Sequence, residues 1–174
     1  TPEVIGVWSE ILNQCPDSIL WMLDDNQWSK DNLLKEFKNN GVEVDRIYFA
    51  GRIPPEDYLA RFRCADLFLD TFPYNAGTTA NDAIFSGLPV LTLSGKTYVS
   101  RMAGSLLNRI KVHSLIAENK QNYLQFAVKM YHEKENLKKI NDNIMNDNHF
   151  IFTIGAIVKD YENKLLLISM RQQF

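Results

Sequence analysis

Apolar and polar positions follow one another along this chain in two rhythms. One is helical: Val4, Trp8, Ile11 and Leu12 fall on one face of the opening segment "TPEVIGVWSEIL", where Thr1 can cap and Pro2 fits the first turn. The other is a series of continuous apolar runs of strand length: "SILWMLD" (18–24), "RIYFAG" (46–51), "DLFLD" (66–70) and "PVLTL" (89–93). Helical spacing fills the intervals, in "DNLLKEFKNNG" (31–41), "PPEDYLARFRCA" (54–65), "TTANDAIFSG" (78–87) and "SRMAGSLLNRI" (100–110). Runs that are apolar throughout predict strands covered from both sides. With a helix between each pair they predict an α/β fold, a Rossmann-like parallel sheet with helices on both faces.

The pattern changes after residue 118. "NKQNYLQFAVKMYHEKENLKKINDNIMND" predicts helix with a break near His132 to Glu135, and residues 152–170 place Ile154, Ile157, Val158, Tyr161, Leu165 and Ile168 at helical spacing. The predicted organisation is therefore a sheet-containing lobe over 1–118 and a C-terminal helical extension over 119–174 that packs on the same lobe. A chain that opens inside a helix is expected to be a piece of something longer.

Composition narrows the chemistry. At 174 residues the chain can bury one substantial core, and its net charge of −2 comes with no basic stripe, which argues against a nucleic-acid partner. No apolar run approaches the ~20 residues needed to cross a bilayer, so no membrane partner is expected. The two cysteines, Cys15 and Cys64, sit in apolar or helical surroundings and read as buried free thiols in a reducing cytoplasm. Trp8 and Trp21 belong to apolar patterns and are expected in the core, with Trp28 partly exposed. His113, His132 and His149 lack ligand spacing, and Asp24 and Asp25 read as a turn or helix-start pair, so no metal site is expected. "SGKT" (94–97) suggests a phosphate loop, but that motif requires glycine at position 90, which is Val90. Ser100 is read as the cap of the following helix, with Arg101 near phosphate as a weaker alternative role.

The most informative stretch is "DTFPYNAGTTANDAIFSGLPVLT" (70–92), in which an apolar strand breaks into a small-residue loop and restarts as a helix headed by two threonines. Glycine lets the backbone approach a ligand closely, and the first helical turn has N–H groups with no partner inside the helix. Gly77, Thr78 and Thr79 would thus offer donors to phosphate oxygens, while Asp82, one turn on, could accept from ribose hydroxyls. The same spacing is equally compatible with Thr78 capping the helix and Asp82 facing solvent.

These residues also resemble a known family. "ADLFLDTFPYNAGTTANDAIFSGLPVLTLSGKTYVSRMAGSLL", preceded by "ILWMLDD" and "RIYFAGRIPPEDYLARFRCADL", is similar to the C-terminal lobe of the O-linked N-acetylglucosamine transferases, including bacterial tetratricopeptide-containing relatives of the SPINDLY type. The resemblance covers about residues 2–161. It implies the C-terminal half of a two-lobed GT-B glycosyltransferase that binds a UDP-sugar. By that analogy Gly77, Thr78 and Thr79 hold the diphosphate and Asp82 the ribose. The Ile53 backbone reads the uracil edge, with Tyr58 and Arg61 beside the base. Tyr58 stands where many relatives have histidine, and its ring can stack instead. The implied reaction is transfer of a sugar, expected to be N-acetylglucosamine, to a protein Ser/Thr hydroxyl with inversion, without a metal or other cofactor, in the cytoplasm.

Two departures qualify the analogy. Pro55 stands where several relatives carry a lysine. The family's first strand of this lobe, with a phosphate-binding lysine, is expected before Thr1, as are the N-terminal catalytic lobe and tetratricopeptide repeats. No catalytic residue is therefore expected within this chain, and alone it is expected to be inactive. The alternatives are a non-catalytic interaction module that keeps the fold without donor binding, and a GT-B enzyme for another nucleotide sugar.

Overall fold

The computed structural model describes residues 1–146. His149 and the helical spacing read over 152–170 lie outside the described residues. In chain order the elements are α1 (Pro2–Gln14), β1 (Leu20–Leu23), α2 (Gln27–Asn39), β2 (Ile47–Ala50), α3 (Pro55–Phe62), β3 (Phe68–Leu69), α4 (Thr78–Phe85), β4 (Val90–Leu93), α5 (Met102–Arg109), β5 (Ile116–Ala117), α6 (Lys120–His132) and α7 (Lys134–Asn146). Local chemistry explains several boundaries. Thr1 Oγ1 accepts from the Val4 N–H at 3.5 Å, and Asn26 Oδ1 accepts from the Ser29 N–H at 2.8 Å, so α2 starts earlier than its apolar spacing indicated. Past the end of α1, the Arg46 guanidinium donates to the carbonyls of Leu12, Cys15 and Ser18, tying the α1–β1 turn to the start of β2.

All strand pairs are parallel. β1 pairs with β2, matching Leu20 with Ile47 and Leu23 with Ala50; separately, β4 lies between β3 and β5. Successive strand residues point to opposite faces, and Val90, Leu91 and Thr92 are all fully buried, so β4 is covered from both sides. One helical group comprises α1, packed on α2 and α6; α3, α4 and α5 form the other, each touching the next. α6 and α5 both contact β4. α7 contacts α6 and α4, and Asn141 Nδ2 donates to the carbonyl of Gly87, which ends α4 at φ +87°, a conformation open to glycine.

Three expectations need correction. Trp21 is 40% exposed rather than in the core. It lies opposite Tyr48, which is also exposed, on a part of the β1–β2 face where its ring carries the Arg61 guanidinium 5.4 Å from its centroid. Cys64 is exposed in the turn after α3; Cys15 is buried, burial raises its thiol pKa, and both thiols are free. The third is a missing strand in the sequence reading. β5 is only two residues long and comes from "KVHSLIAENK", too short a run to stand out. Trp8 is buried as expected, Trp28 is 75% exposed, and the α6–α7 break falls at Glu133. Among the described residues no helix is long and apolar enough to cross a membrane.

A buried polar chain joins α1 and α6 to the end of β3. The Trp8 indole N–H (α1) donates to the Tyr123 hydroxyl (α6) at 3.3 Å, and that hydroxyl donates to the carbonyl of Asp70, just past β3, at 2.9 Å. Tyr123 is fully buried and its ring meets Phe72 edge-on at 5.6 Å. Replacing it with phenylalanine keeps the ring but leaves an indole N–H and a carbonyl unpaired. Tyr123→Phe is expected to destabilise the fold by about 1–3 kcal/mol, read as a lowered denaturation midpoint with unchanged slope; an unaltered midpoint would contradict this role.

Candidate functional site

The loop that follows β3 is shaped by one carboxylate. Asp70 extends the ladder through its N–H to Leu91 O at 2.9 Å, and its fully buried side chain accepts from the Ala76 N–H at 2.7 Å and from the Thr92 hydroxyl at 2.6 Å. The loop is thereby drawn back over the end of the strand. Asn75 fastens it from within: its amide group donates to Thr71 O at 2.9 Å and Leu93 O at 3.3 Å, and its backbone N–H to Val99 O at 2.9 Å. Burial pushes the Asp70 carboxyl up to about 7, partly offset by the donors from Ala76, Thr92 and Thr71. Asp70, Asn75 and Tyr123 were missed as site-shaping residues. The available signal was an acidic residue ending an otherwise apolar strand, where solvent exposure is the ordinary assumption.

Gly77, delivered by this loop, is the N-cap of α4. The first helical bond runs from the Asn81 N–H to Gly77 O, so the amides of Thr78, Thr79 and Ala80 precede the ladder, and a glycine cap supplies no side-chain acceptor for them. The capping role considered for Thr78 is therefore not the one it has. A Cβ at Gly77 would meet the flexible end of the Met102 side chain, which would have to move aside.

Asp82 does not face open solvent. It is 6% exposed, and its Oδ2 accepts from the Tyr58 hydroxyl of α3 at 3.2 Å. Burial raises the Asp82 carboxyl to about 6, with the Tyr58 hydrogen bond pulling the other way. The Tyr58 phenol is raised by its own burial and by the neighbouring Asp82 charge, with Thr79 and Arg61 opposing. Tyr58 thus joins α3 to the first turns of α4, while its ring packs edge-on against Phe62 at 5.2 Å. One turn along α3, Arg61 donates to the Gly51 carbonyl at 2.9 Å and covers Trp21, fixing the β2–α3 loop that contains the exposed Ile53. Tyr58, Thr79 and Asp82 are brought together directly; Ile53 and Arg61 belong to the adjoining loop and helix. All follow the carboxyl ends of β2 and β3, where open α/β sheets gather ligands.

The remaining candidates are absorbed by structure. "SGKT" closes on itself: the Gly95 N–H donates to Ser100 O at 2.8 Å, and Ser100 Oγ accepts from the Thr97 N–H at 3.0 Å. Ser100 therefore does not cap α5, whose N-cap is Arg101 without a side-chain hydrogen bond. His113 lies on the surface beside Asn108, and His132 is exposed at the end of α6. Among the described residues no group of three or more His, Cys, Asp or Glu could hold a metal ion. A shallow depression lined by Tyr131, His132, Glu133 and Lys139 belongs to the α6–α7 turn.

Parallel strands, helices on both faces and an uncapped helix terminus beyond a strand define a Rossmann-like lobe, and the structural match below makes it one half of a GT-B fold. Its relatives agree. The family described as "Glycosyl transferase family 41" matches residues 1–161, and this chain belongs to that family. A UDP-N-acetylglucosamine--peptide N-acetylglucosaminyltransferase of Caenorhabditis elegans is 31% identical over 136 residues, 78% of this chain and 12% of the relative. A probable UDP-N-acetylglucosamine--peptide N-acetylglucosaminyltransferase SPINDLY of Arabidopsis thaliana is 28% identical over 145 residues, 80% of this chain and 16% of the relative. Among solved structures, the K341M mutant of the Thermobaculum terrenum O-GlcNAc transferase superposes with a TM-score of 0.83 at 24% identity, covering 94% of this chain and 32% of that one. The chain thus spans a minor part of the proteins it matches.

The buried carboxylate makes a pH-dependent prediction. An acid whose folded pKa is raised binds its proton where the unfolded chain has already released it, so Asp70 withdraws stability as pH rises from 3.8 to about 7. Asparagine can still accept from the Ala76 N–H and donate to Thr92 without ionising. Relative to wild type, the melting temperature of Asp70→Asn is expected to climb across this window by on the order of 5 °C; parallel melting curves against pH would exclude an ionising Asp70.

Proposed function

We propose that this chain is the donor-binding lobe of an inverting protein O-glycosyltransferase that uses a UDP-sugar, UDP-N-acetylglucosamine being the donor in the names of its relatives. The observation that carries the reading is the convergence of uncapped α4 amides, beginning at Thr78, with the Asp82 carboxylate on the next turn. In this reading Gly77, Thr78 and Thr79 take the diphosphate, Asp82 the ribose, the Ile53 backbone the uracil edge, and Tyr58 and Arg61 the base. A helix terminus alone contributes about 0.3–2 kcal/mol toward an anion, so the base and ribose contacts supply much of the affinity. Stacking on an aromatic ring adds roughly 1–3 kcal/mol per base in single-strand nucleic-acid binders.

The chemistry follows from placement. A Ser or Thr hydroxyl of a protein acceptor attacks the anomeric carbon from the face opposite UDP. The bond to the diphosphate oxygen breaks, and the configuration inverts. Negative charge grows on the leaving diphosphate, where fixed amide and hydroxyl donors meet it without reorganising. Acceptor binding and proton removal are assigned to the N-terminal lobe and tetratricopeptide repeats of the longer protein, so this chain by itself is inactive. With helix donors carrying the leaving charge, no metal is required. A second reading, an interaction module without donor binding, draws on the 6% exposure of Asp82, which leaves little of that carboxylate accessible.

Three experiments bear on these readings. Calorimetry with UDP is expected to detect weak binding by this chain, and silence at millimolar UDP with the fold intact would favour the interaction module. In the full-length protein, Thr79→Ala and Asp82→Ala are each expected to lower kcat/KM by roughly 10- to 100-fold, the loss of one or two charge-assisted hydrogen bonds; wild-type rates would remove both from the site. The third adds a chelator to the active enzyme, and unchanged turnover is expected. A large loss restored by a divalent cation would show that a metal carries the leaving charge instead.

A further inference from the structure

We infer that the Tyr58 hydroxyl is a positioning group for Asp82, fixing one carboxylate oxygen so that the other is presented to the hydroxyls of a ribonucleotide's sugar. The inference rests on the donor-site reading above and goes beyond it by assigning separate tasks to the ring and the hydroxyl of one residue. An ionised carboxylate has about four acceptor positions. Tyr58 takes one of them on Oδ2 at 3.2 Å, so the bond can persist while a sugar hydroxyl donates to Oδ1. At 6% exposure Asp82 has little water to orient it or to stabilise its charge, and a lone carboxylate in such surroundings is costly.

Tyr58 is suited to this task by its own anchoring. Its ring is held edge-on by Phe62 at 5.2 Å, and its hydroxyl donates to Asp82, three residues along one face of α4 from Thr79. Burial and the Asp82 charge keep the phenol protonated, hence a donor whenever Asp82 is ionised. A sugar that lacks hydroxyls makes no use of Asp82 and should be indifferent to how that carboxylate is held. Phenylalanine at position 58 retains the ring and removes only the donor.

The test compares UDP with 2′,3′-dideoxyuridine diphosphate by calorimetry on the full-length protein, wild type and Tyr58→Phe. The expected result is roughly tenfold weaker UDP binding by the variant, the size of one charge-assisted hydrogen bond, with dideoxy-UDP affinity unchanged. Retained dideoxy-UDP binding also demonstrates that the variant is folded. In turnover, Tyr58→Phe should raise the donor KM with kcat preserved, because the interaction is the same in ground and transition states. Equal weakening for both ligands would make Tyr58 a stacking or structural residue and overturn the inference. UDP binding by the variant as tight as wild type or tighter would overturn it too, the latter identifying the hydroxyl as a competitor of the ribose. Failure of the wild type to bind UDP at all would remove the donor reading itself, a different outcome from either.

Discussion

The Asp70 carboxylate is the constraint on which the site depends. A carboxyl without access to water is costly to ionise, and the Ala76 amide and the Thr92 hydroxyl offset part of that cost at Asp70. Those two bonds fold the loop after β3 onto the neighbouring strand and thereby set where Gly77 begins α4. The Asp70 carbonyl receives the Tyr123 hydroxyl, which receives the Trp8 indole, so the same residue also locks α6 and α1 against the sheet. A fully buried polar chain of this kind penalises every alternative packing that would leave one member unpaired.

The candidate site is divided between two helices with different duties. α4 contributes charge and donors: its uncapped amides, Thr79 and Asp82. α3 contributes rings and orientation through Tyr58 and Arg61, the latter pinning Gly51 and covering Trp21. Placing recognition groups on helices that touch each other gives a more rigid arrangement than placing them on the connecting loops. Family 41 membership and the superposition with a bacterial O-GlcNAc transferase establish the family and the fold, within the small share of the larger proteins that this chain matches.

Much of the architecture was legible in local pattern. β1 to β4, the helices between them and the Glu133 break follow from run length and helical spacing, because a strand covered on both faces must be apolar throughout. β5, two residues long like β3, escaped because nothing in "KVHSLIAENK" sets Ile116 and Ala117 apart, and its pairing exists only because β4 is already in place beside it. Trp21 misled because an unbroken apolar run does not reveal where helices stop covering a strand; the β1–β2 face is open there. Ser100 misled for the opposite reason, since its position before a helix fits a cap, while the turn at Gly95 to Thr97 claims its hydroxyl first.

The sequence by itself determined the alternation of strand and helix, the glycine at the head of α4 and the family motif around it, since each is written in residues adjacent along the chain. Only the tertiary structure decided that Asp70 is buried and satisfied, that Asp82 is capped by a tyrosine 24 positions away, and that Trp21 faces outward. The reason is physical: whether a polar group is paired, and whether an apolar one is covered, depends on neighbours brought together by folding, which local periodicity does not record.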